Sequence, residues 1–404
     1  MTAHVTCLGC GCACDDIEIA TRDSRIVDAA NACELGVRWF GDGRVPARAR
    51  IGDRNVERHE AISAAVNLLK TASRSLVYLA PDLTCEAQRE AAGIADALGA
   101  VLDSVTSATA MPSILAAQER GRASATLGEI RNRADVVLFW NVEPDVAYPR
   151  YRTRYLPAGA TNIRVDVAAA DEVATLTALA AIVSGAVKAE PRGSVWNRAR
   201  ELAPRLVAGR YVAIVADAEP GGDDAGSRDA GRANALISLA QALNGPTRAA
   251  LSLLRAGGNR SGGDAVMTWQ TGFPAAVDFT RGHPRYQPCD GAAHRRLARG
   301  EVDALLVAGS VTLIPPAVLA SMARVPRVMI GPRVSESALA EGAVLSILVD
   351  TGMAGIHDSG TAMRMDDVPL PLRPSLAGPP NTAGVIRALA RACRAEAQSM
   401  KADV

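Results

Sequence analysis

The stretch SLVYLAPDLTCEAQREAAGIADALGAVLDS, residues 75–104, carries the pattern that decides the fold. Residues 75–80 form a short apolar run, residues 86–99 space their apolar side chains at helical intervals, and residues 100–104 form a second apolar run. Short buried strands that alternate with amphipathic helices are typical of parallel sheets, because each crossover helix covers a face of the sheet. The stretch therefore predicts a strand, a helix and a second, parallel strand.

The same alternation continues in both directions along the chain. Helical spacing precedes the stretch at 59–72, and a last amphipathic helix is expected at 381–398. Further apolar strand runs are found at 134–140, 210–216, 302–310 and 327–331. An acidic, glycine-rich stretch at 217–231 is expected to be a loop. Because the alternation starts again after about residue 195, it predicts two α/β units of similar plan.

The first 58 residues differ, since short strands, turns and clustered cysteines replace the helical period there. We therefore expect an α/β fold in which a small cysteine-bearing N-terminal module is followed by two Rossmann-like α/β units around a central cleft. The predicted segments are the cysteine module at 1–58, the first α/β unit at 59–194, the second at 195–350, and a C-terminal loop segment and helix at 351–404.

Composition limits the partners that the chain can have. Its 404 residues include 44 Lys and Arg against 43 Asp and Glu, so the net charge of +1 gives no bulk attraction to nucleic acid or to an anionic membrane. No apolar run approaches the roughly 20 residues of a membrane-spanning helix. The N-terminus also lacks the pattern of a secretory signal. These features predict a cytoplasmic protein with no nucleic-acid or membrane partner.

A second informative stretch is CLGCGCACDD, residues 7–16, which holds four of the eight cysteines. The spacing C-x2-C-x3-C-x18-C relates four thiols of this region: Cys7, Cys10, Cys14 and Cys33. In a reducing compartment, clustered cysteines are more often metal ligands or redox groups than disulfides. Four thiolates suit a [4Fe–4S] cluster or a zinc ion. Reduced structural cysteines and an empty relic loop are the alternatives, and Cys12 is a thiol beyond the four.

Motifs of hydrolases and of nucleotide-binding proteins are absent from the sequence. It contains no Walker pattern, no G-x-G-x-x-G after a strand, no G-x-S-x-G and no H-E-x-x-H. The five histidines are isolated, and a surface or packing role is expected for each. The glycines of segment 257–286 allow either close backbone approach to a ligand or simple turns.

Five segments together resemble the B subunit of formylmethanofuran dehydrogenases, which belong to the molybdopterin oxidoreductase superfamily. They are CLGCGCACDDI (7–17), TLGEIRNRADVVLFW (126–140), TWQTGFPAAVDFTRGHPRY (268–286), RGEVDALLVAGS (299–310) and AGIHDSGTAMRMDDVPL (354–370). The resemblance runs through nearly the whole chain. Within this group the chain is most similar to the B subunit of the bacterial formyltransferase/hydrolase complex of methylotrophs.

The resemblance implies a set of cofactors, and this sequence differs from the relatives in the segment that binds the pterin metal. Dehydrogenase relatives hold a [4Fe–4S] cluster, and the four spaced cysteines match its ligand positions. They also hold a tungsten or molybdenum bis-pterin, whose metal is bound by a Cys or selenocysteine in a C-H-G-P-S-like segment. Pro112 and Ser113 match the end of that segment, which places Thr109 at the metal-ligand position, with Ala110 and Met111 in place of His and Gly. A threonine hydroxyl is a poor substitute for a soft thiolate or selenolate.

A second departure follows the strand at 134–140. Asn141 and Val142 stand where the relatives carry a Gly-Cys pair, and Glu143 would place a carboxylate beside the anionic pyrophosphate of a bound pterin. These differences imply a degenerate molybdopterin site without the Mo or W pterin, and no catalysis by this chain itself.

The function that the resemblance implies is that of a non-catalytic, structural subunit of a formyltransferase/hydrolase complex. Such a complex serves one-carbon metabolism linked to tetrahydromethanopterin and methanofuran, in which formaldehyde is oxidised to formate. The expected partners are the hydrolase, formyltransferase and further subunits, together with a methanofuran-type carrier. The alternative is an active Mo or W pterin oxidoreductase subunit of the formylmethanofuran dehydrogenase type.

Overall fold

The computed structural model describes residues 2–187, 191–219 and 225–402. Its strands are β1 (Thr2–Val5), β2 (Ile17–Arg22), β3 (Arg25–Ala30), β4 (Ala49–Ile51), β5 (Arg54–Asn55), β6 (Ser75–Leu79), β7 (Val101–Ser104), β8 (Val136–Trp140), β9 (Thr161–Val165), β10 (Tyr211–Asp217), β11 (Arg248–Leu254), β12 (Val277–Asp278), β13 (Arg285–Tyr286), β14 (Ala304–Ala308), β15 (Arg327–Gly331), β16 (Ser346–Asp350), β17 (Gly360–Met363) and β18 (Pro369–Leu372).

The helices follow the same chain order. They are α1 (Glu34–Phe40), α2 (Arg58–Thr71), α3 (Cys85–Leu98), α4 (Thr106–Thr109), α5 (Met111–Arg120), α6 (Leu127–Arg133), α7 (Pro144–Ala147), α8 (Tyr151–Tyr155), α9 (Ala169–Val183), α10 (Ser194–Val207), α11 (Ala225–Leu243), α12 (Arg260–Thr271), α13 (Ala293–Ala298), α14 (Pro316–Met322) and α15 (Thr382–Ala402), with 3₁₀ turns at Val334–Glu336 and Ala338–Ala340.

The chain forms two compact units. Unit 1 contains Met1–Ala108 and Gly257–Val404, and unit 2 contains Thr109–Ala256. This division is coarser than the four segments predicted from the sequence, so their boundaries at residues 58, 194 and 350 stay predictions.

Unit 1 is built around a nine-stranded sheet in the order β13-β12-β7-β6-β14-β15-β16-β4-β5. Its five central strands, β7 to β16, are parallel. Both edges are antiparallel. Along β6, Val77 and Leu79 face a core formed with α2, α3 and α15, whereas Leu76 and Tyr78 face a second core formed with α13 and α14. This period of two, with both faces buried, explains the continuous apolar run in the sequence.

Helix α3 shows how local sequence sets the ends of an element. Thr84 caps its N-terminus, because the side-chain oxygen accepts a hydrogen bond from the amide of Ala87 at 3.1 Å. Gly99 ends the helix in the left-handed region, at φ +62°, where a glycine carries no steric penalty. The helix thus returns the chain to the sheet at β7, as the strand–helix–strand pattern predicts.

The cysteine-rich loop between β1 and β2 also belongs to unit 1. Strands β1, β2 and β3 form a small antiparallel sheet. The loop packs with the β17–β18 hairpin around buried Leu8. Three hydrogen bonds join it to distant parts of the chain: Thr6 Oγ1 donates to Pro371 O (2.9 Å), Gly258 N to Leu8 O (2.8 Å) and Met365 N to Gly11 O (3.1 Å).

Unit 2 contains a four-stranded parallel sheet in the order β11-β10-β8-β9. Helices α9, α10 and α11 contribute to its apolar core. From β8 the chain moves to β9 on one side, whereas β10 and β11 continue on the other side of β8. The direction of winding therefore reverses between β8 and β10, and in open α/β sheets the crevice that binds ligands lies at the carboxyl ends of the strands flanking such a reversal.

The α/β class predicted from the sequence is confirmed. The structure corrects the loop predicted at 217–231 and shows which strands pair. The segment 217–231, expected to be a loop, contains the beginning of α11 at Ala225, while residues 220–224 lie outside the described part of the chain. Strands β6 and β7 pair with strands from beyond residue 270, whereas β8 pairs with β10. Among the described residues, no helix has the length and apolar character needed to cross a membrane.

Candidate functional site

The cysteine loop folds tightly on itself. The amide of Cys7 donates to the carbonyl of Cys14 at 2.8 Å, and that of Ala13 donates to the carbonyl of Cys10 at 3.1 Å. Gly9 is required by close approach, since a Cβ at that position would lie 2.7 Å from the carbonyl oxygen of Leu35. The loop is thereby held against α1, the helix that Cys33 precedes as its N-cap residue.

The four spaced thiols share one neighbourhood centred on Cys7. Burial raises the pKa of the Cys7 thiol, and the nearby thiols of Cys10, Cys14 and Cys33 raise it further by like-charge repulsion. The amide of Gly9, which donates to Cys7 Sγ at 3.3 Å, acts in the opposite direction. The protonated form of the Cys7 thiol is therefore favoured, and a metal ion would have to displace that proton to bind Cys7.

Cys7, Cys10, Cys14 and Cys33 supply the donor type of a four-thiolate site, and the last three lie near Cys7. All eight cysteines lie within the described residues, and no disulfide joins any two of them. Cys12 is also completely buried. No group of three or more His, Cys, Asp or Glu side chains in an arrangement that holds a metal ion is found in the described part of the chain.

Thr109 lies at the junction of two helices. It is the last residue of α4 and is half-buried, and α5 begins two residues later at Met111. Ala110 and Met111 are buried, and Ala110 offers no side-chain cap to α5. Pro112 occupies the first turn of α5, where its missing N–H costs no hydrogen bond. The segment from Thr106 to Arg120 contains no cysteine.

Asn141 extends the four-stranded sheet beyond β8. It adopts φ +47°, a left-handed conformation that asparagine tolerates better than most residues. Its side-chain amide donates to the carbonyl of Val167 at 3.0 Å and accepts from the amide of Val167 at 2.6 Å. The carboxamide thus bridges the carboxyl ends of β8 and β9 and fixes the backbone that leads into Glu143.

Glu143 accepts hydrogen bonds from two arginines. Its Oε1 lies 2.8 Å from Arg152 Nη2 and its Oε2 lies 2.7 Å from Arg164 Nη1. The hydrogen bond from Arg152 is the main cause of a lowered pKa of the Glu143 carboxyl, and the charges of both arginines contribute to it. Arg152 also pairs with Asp145, and its guanidinium lies 4.6 Å from the centre of the Phe139 ring. Arg164 also pairs with Asp166.

Two more carboxylate–arginine pairs lie along the same edge of the sheet, and both are buried. Arg232 donates to Glu172 at 2.8 Å, and Trp140 Nε1 donates to the same oxygen at 2.8 Å. Arg255 donates to Glu219 at 3.2 Å. Because buried charges are stable only when paired, these contacts account for the burial of both arginines.

No protein-family model matches the sequence, but individual relatives do. The B subunit of the tungsten-containing formylmethanofuran dehydrogenase 2 of Methanocaldococcus jannaschii is 30% identical over 413 residues, and the match covers 92% of each chain. The corresponding subunit of Methanococcus maripaludis is 30% identical over 420 residues, covering 93% of this chain and 94% of the relative. The chain belongs to the family of formylmethanofuran dehydrogenase B subunits.

Other similarities connect the chain to a second kind of complex. The B subunit of the formyltransferase/hydrolase complex of Methylorubrum extorquens is 30% identical over 269 residues, covering 61% of this chain and 70% of the relative. A crystal structure of the formyltransferase/hydrolase complex of the same organism, with methylofuran bound, contains a chain that superposes with a TM-score of 0.73. That match covers 86% of this chain and 99% of the other, and at 24% identity it shows that the fold is shared.

The structure places the residues singled out from the sequence in separate surroundings. Cys10, Cys14 and Cys33 lie near Cys7, and the role of the four as metal ligands stays a prediction. In unit 2, Thr109 ends α4, whereas Glu143 precedes α7 as its N-cap residue. Sequence reasoning expected Glu143 to place a carboxylate beside the anionic pyrophosphate of a bound pterin, and it did not identify the two arginines that pair with this residue. The available signal was Arg164 near the end of the neighbouring strand, but the strand order had to be known before it could be used.

Proposed function

We propose that this chain is a non-catalytic, structural subunit of a formyltransferase/hydrolase complex in one-carbon metabolism linked to tetrahydromethanopterin and methanofuran. Formyl transfer and hydrolysis are carried out by partner subunits, and a methanofuran-type carrier moves between them. The relative in M. extorquens, named as the B subunit of such a complex, supports this assembly. A scaffold of this kind raises the effective concentration of the carrier at each active site.

The observation that carries the proposal is the side chain at position 109. By resemblance this position supplies the thiolate or selenolate that binds the pterin metal in dehydrogenase relatives, and here it carries a hydroxyl. The neighbouring Ala110 and Met111 are buried, and segment 106–120 has no cysteine that could act as a substitute. Because a threonine hydroxyl is a poorer donor to a pterin-bound metal than a thiolate or selenolate, these residues fit a Mo or W pterin poorly.

We also propose that Cys7, Cys10, Cys14 and Cys33 hold a structural [4Fe–4S] cluster within a small N-terminal module. The shared neighbourhood of the four thiols and the hydrogen bonds that tie their loop to residues 258, 365 and 371 support this assignment. A cluster bound there would act as a staple between the first residues and the C-terminal segment. Zinc, or an empty loop, is the alternative outcome.

The same proposal includes a Rossmann-like architecture for unit 2 and a cytoplasmic location for the protein. The parallel sheet of unit 2, with its reversal of winding between β8 and β10, supports a Rossmann-like unit derived from the molybdopterin oxidoreductase fold. The clustering of cysteines that no disulfide joins supports a cytoplasmic protein.

A second candidate function is that of an active Mo or W pterin oxidoreductase subunit. The names of the two archaeal relatives, both tungsten-containing dehydrogenases, favour it. It requires Thr109 to act as an alkoxide ligand in place of a thiolate. The alkoxide is the weaker donor for these metals.

Substitution of Thr109 in the assembled complex separates the two functions. We expect Thr109→Val, which removes the hydroxyl and keeps the shape, to leave formate production from the formylated carrier unchanged. The wild-type complex should also lack viologen-linked oxidation of formate. If Thr109→Val abolishes a formate oxidation activity that the wild type possesses, the chain is a redox subunit and the proposal is wrong.

A further inference from the structure

We propose that Glu143 is an intramolecular anion that occupies a phosphate-binding site formed by Arg152 and Arg164. This inference rests on the proposed loss of the pterin cofactor and deepens it, because it identifies a group of the chain itself that fills a place suited to an anionic ligand. The site accepts a phosphate or pyrophosphate group only when the charge of Glu143 is removed.

The position of the three side chains within unit 2 is the first argument. Glu143 follows the carboxyl end of β8, which is one of the two strands flanking the reversal, and Arg164 lies near the carboxyl end of β9 on the opposite side of β8. Ligands of open α/β sheets bind outside the carboxyl ends of the strands at such a reversal. Glu143 therefore lies at the carboxyl ends of the strands beside this reversal, and it is reached by Arg164 from β9 and by Arg152 from α8.

The donor geometry is the second argument. Both arginines direct a terminal nitrogen to Glu143, at 2.8 Å and 2.7 Å, so each carboxylate oxygen receives a charge-assisted hydrogen bond. Two guanidinium groups that converge on neighbouring oxygens are also suited to a phosphate group. Asp145 and Asp166 bind the Nε atoms of Arg152 and Arg164, which keeps both guanidinium groups oriented when Glu143 is replaced.

Solvent exposure distinguishes the Glu143 site from the other two carboxylate–arginine pairs at the carboxyl ends of the strands. The side chain of Glu143 is 31% exposed, and those of Arg152 and Arg164 are 32% and 52% exposed, so a dissolved anion can reach them. The Glu172–Arg232 and Glu219–Arg255 pairs are at most 10% exposed. Within residues 139–167, all of which are described, the sequence has four arginines and three carboxylates. Loss of the Glu143 charge therefore increases the local positive charge.

Isothermal titration calorimetry at low ionic strength tests the inference. It measures the binding of inorganic pyrophosphate to the full-length chain in the complex with which it purifies. Glu143→Gln is the principal variant, and Glu143→Ala is the second choice if the first does not fold. Glu129→Gln is the matched control, because it frees Arg133, a surface arginine that pairs with Glu129 at 3.3 Å within α6. The double variant Glu143→Gln/Arg164→Gln removes one of the two proposed donors.

We expect pyrophosphate to bind the Glu143→Gln variant roughly tenfold more tightly than the wild type, or better, because two charge-assisted hydrogen bonds become available. The control should match the wild type, and the double variant should lose the gain. The inference is overturned if Glu143→Gln gains nothing, if Glu129→Gln gains as much, or if the wild type already binds as tightly. Tungsten or molybdenum in the wild-type complex would refute the proposed function instead, whatever these titrations give.

Discussion

Asp82 is a buried carboxyl group in the turn after β6. Both of its oxygens accept a hydrogen bond from the amide of Ser310, at 2.9 Å and 3.2 Å. Burial raises the pKa of Asp82 to about 6, and the hydrogen bonds from Ser310 oppose only part of that shift. An acid whose pKa is raised on folding stabilises the folded state at low pH, and this contribution is lost as the pH rises through the folded-state pKa.

We therefore predict that Asp82→Asn gains stability relative to the wild type as the pH rises from 4 to 7. The difference between the two unfolding free energies should change by roughly 3 kcal/mol over this range, since each pKa unit corresponds to about 1.4 kcal/mol. Urea unfolding at several pH values measures it. The control is Asp53→Asn, because the Asp53 side chain is fully exposed. A difference that stays constant with pH would contradict the assignment of a raised pKa to Asp82.

At the scale of single residues, the sequence predicted which cysteines lie near each other better than it predicted ion pairs between strands. The spacing of the cysteines was sufficient to group three thiols around Cys7, because they lie in one loop and at the start of the next helix. The partners of Glu143 were not predictable in the same way. Arg152 and Arg164 are 9 and 21 residues away and reach Glu143 only because β8 and β9 are adjacent.

At the scale of elements, single cysteine substitutions test which thiols of the cysteine loop bind a metal. We predict that Cys7→Ser loses the bound metal, whereas Cys12→Ser keeps it, because Cys7 lies among the other ligands and Cys12 is the thiol beyond the four. Iron and zinc per chain after anaerobic purification measure the effect. Equal loss of metal in both variants would show that the ligand set is wrong.

The pH dependence of the same loop gives an independent prediction. Since burial and the neighbouring thiols raise the pKa of Cys7, metal binding must release protons and weaken as the pH falls. Titration of the purified complex from pH 8 to pH 5 in the presence of a chelator should show progressive release of metal. Retention that does not change over this range would contradict the account of Cys7 as a ligand.

Helix α3 offers a prediction about stability. Gly93 lies inside the helix, and a Cβ there would meet no atom within 4 Å. Gly93→Ala should therefore stabilise the chain by about 0.5–1 kcal/mol, because alanine loses less backbone entropy in a helix. Gly9→Ala is the contrasting variant, and its clash with the carbonyl of Leu35 should destabilise the chain by roughly 1–3 kcal/mol. Thermal unfolding of both variants measures the two effects, and a destabilised Gly93→Ala would contradict the first.

At the scale of the whole molecule, local patterns predicted the strands but not their grouping into sheets. The run at 75–80 and the run at 302–310 each predict a buried strand, and both strands are found in the structure. Their pairing, in which Ser75 faces Ala304, joins parts of the chain more than 200 residues apart. No periodicity within either run specifies that partner, because any two apolar strands of similar length satisfy the same pattern.

We propose that this chain shares the fold of its formylmethanofuran dehydrogenase relatives but lacks their metal chemistry. Elemental analysis of the complex, purified without oxygen from cells supplied with tungstate and molybdate, tests it most directly. We predict no stoichiometric tungsten or molybdenum, with iron at about four atoms per chain from one cluster. One tungsten or molybdenum per chain, released together with a pterin on denaturation, would contradict the account.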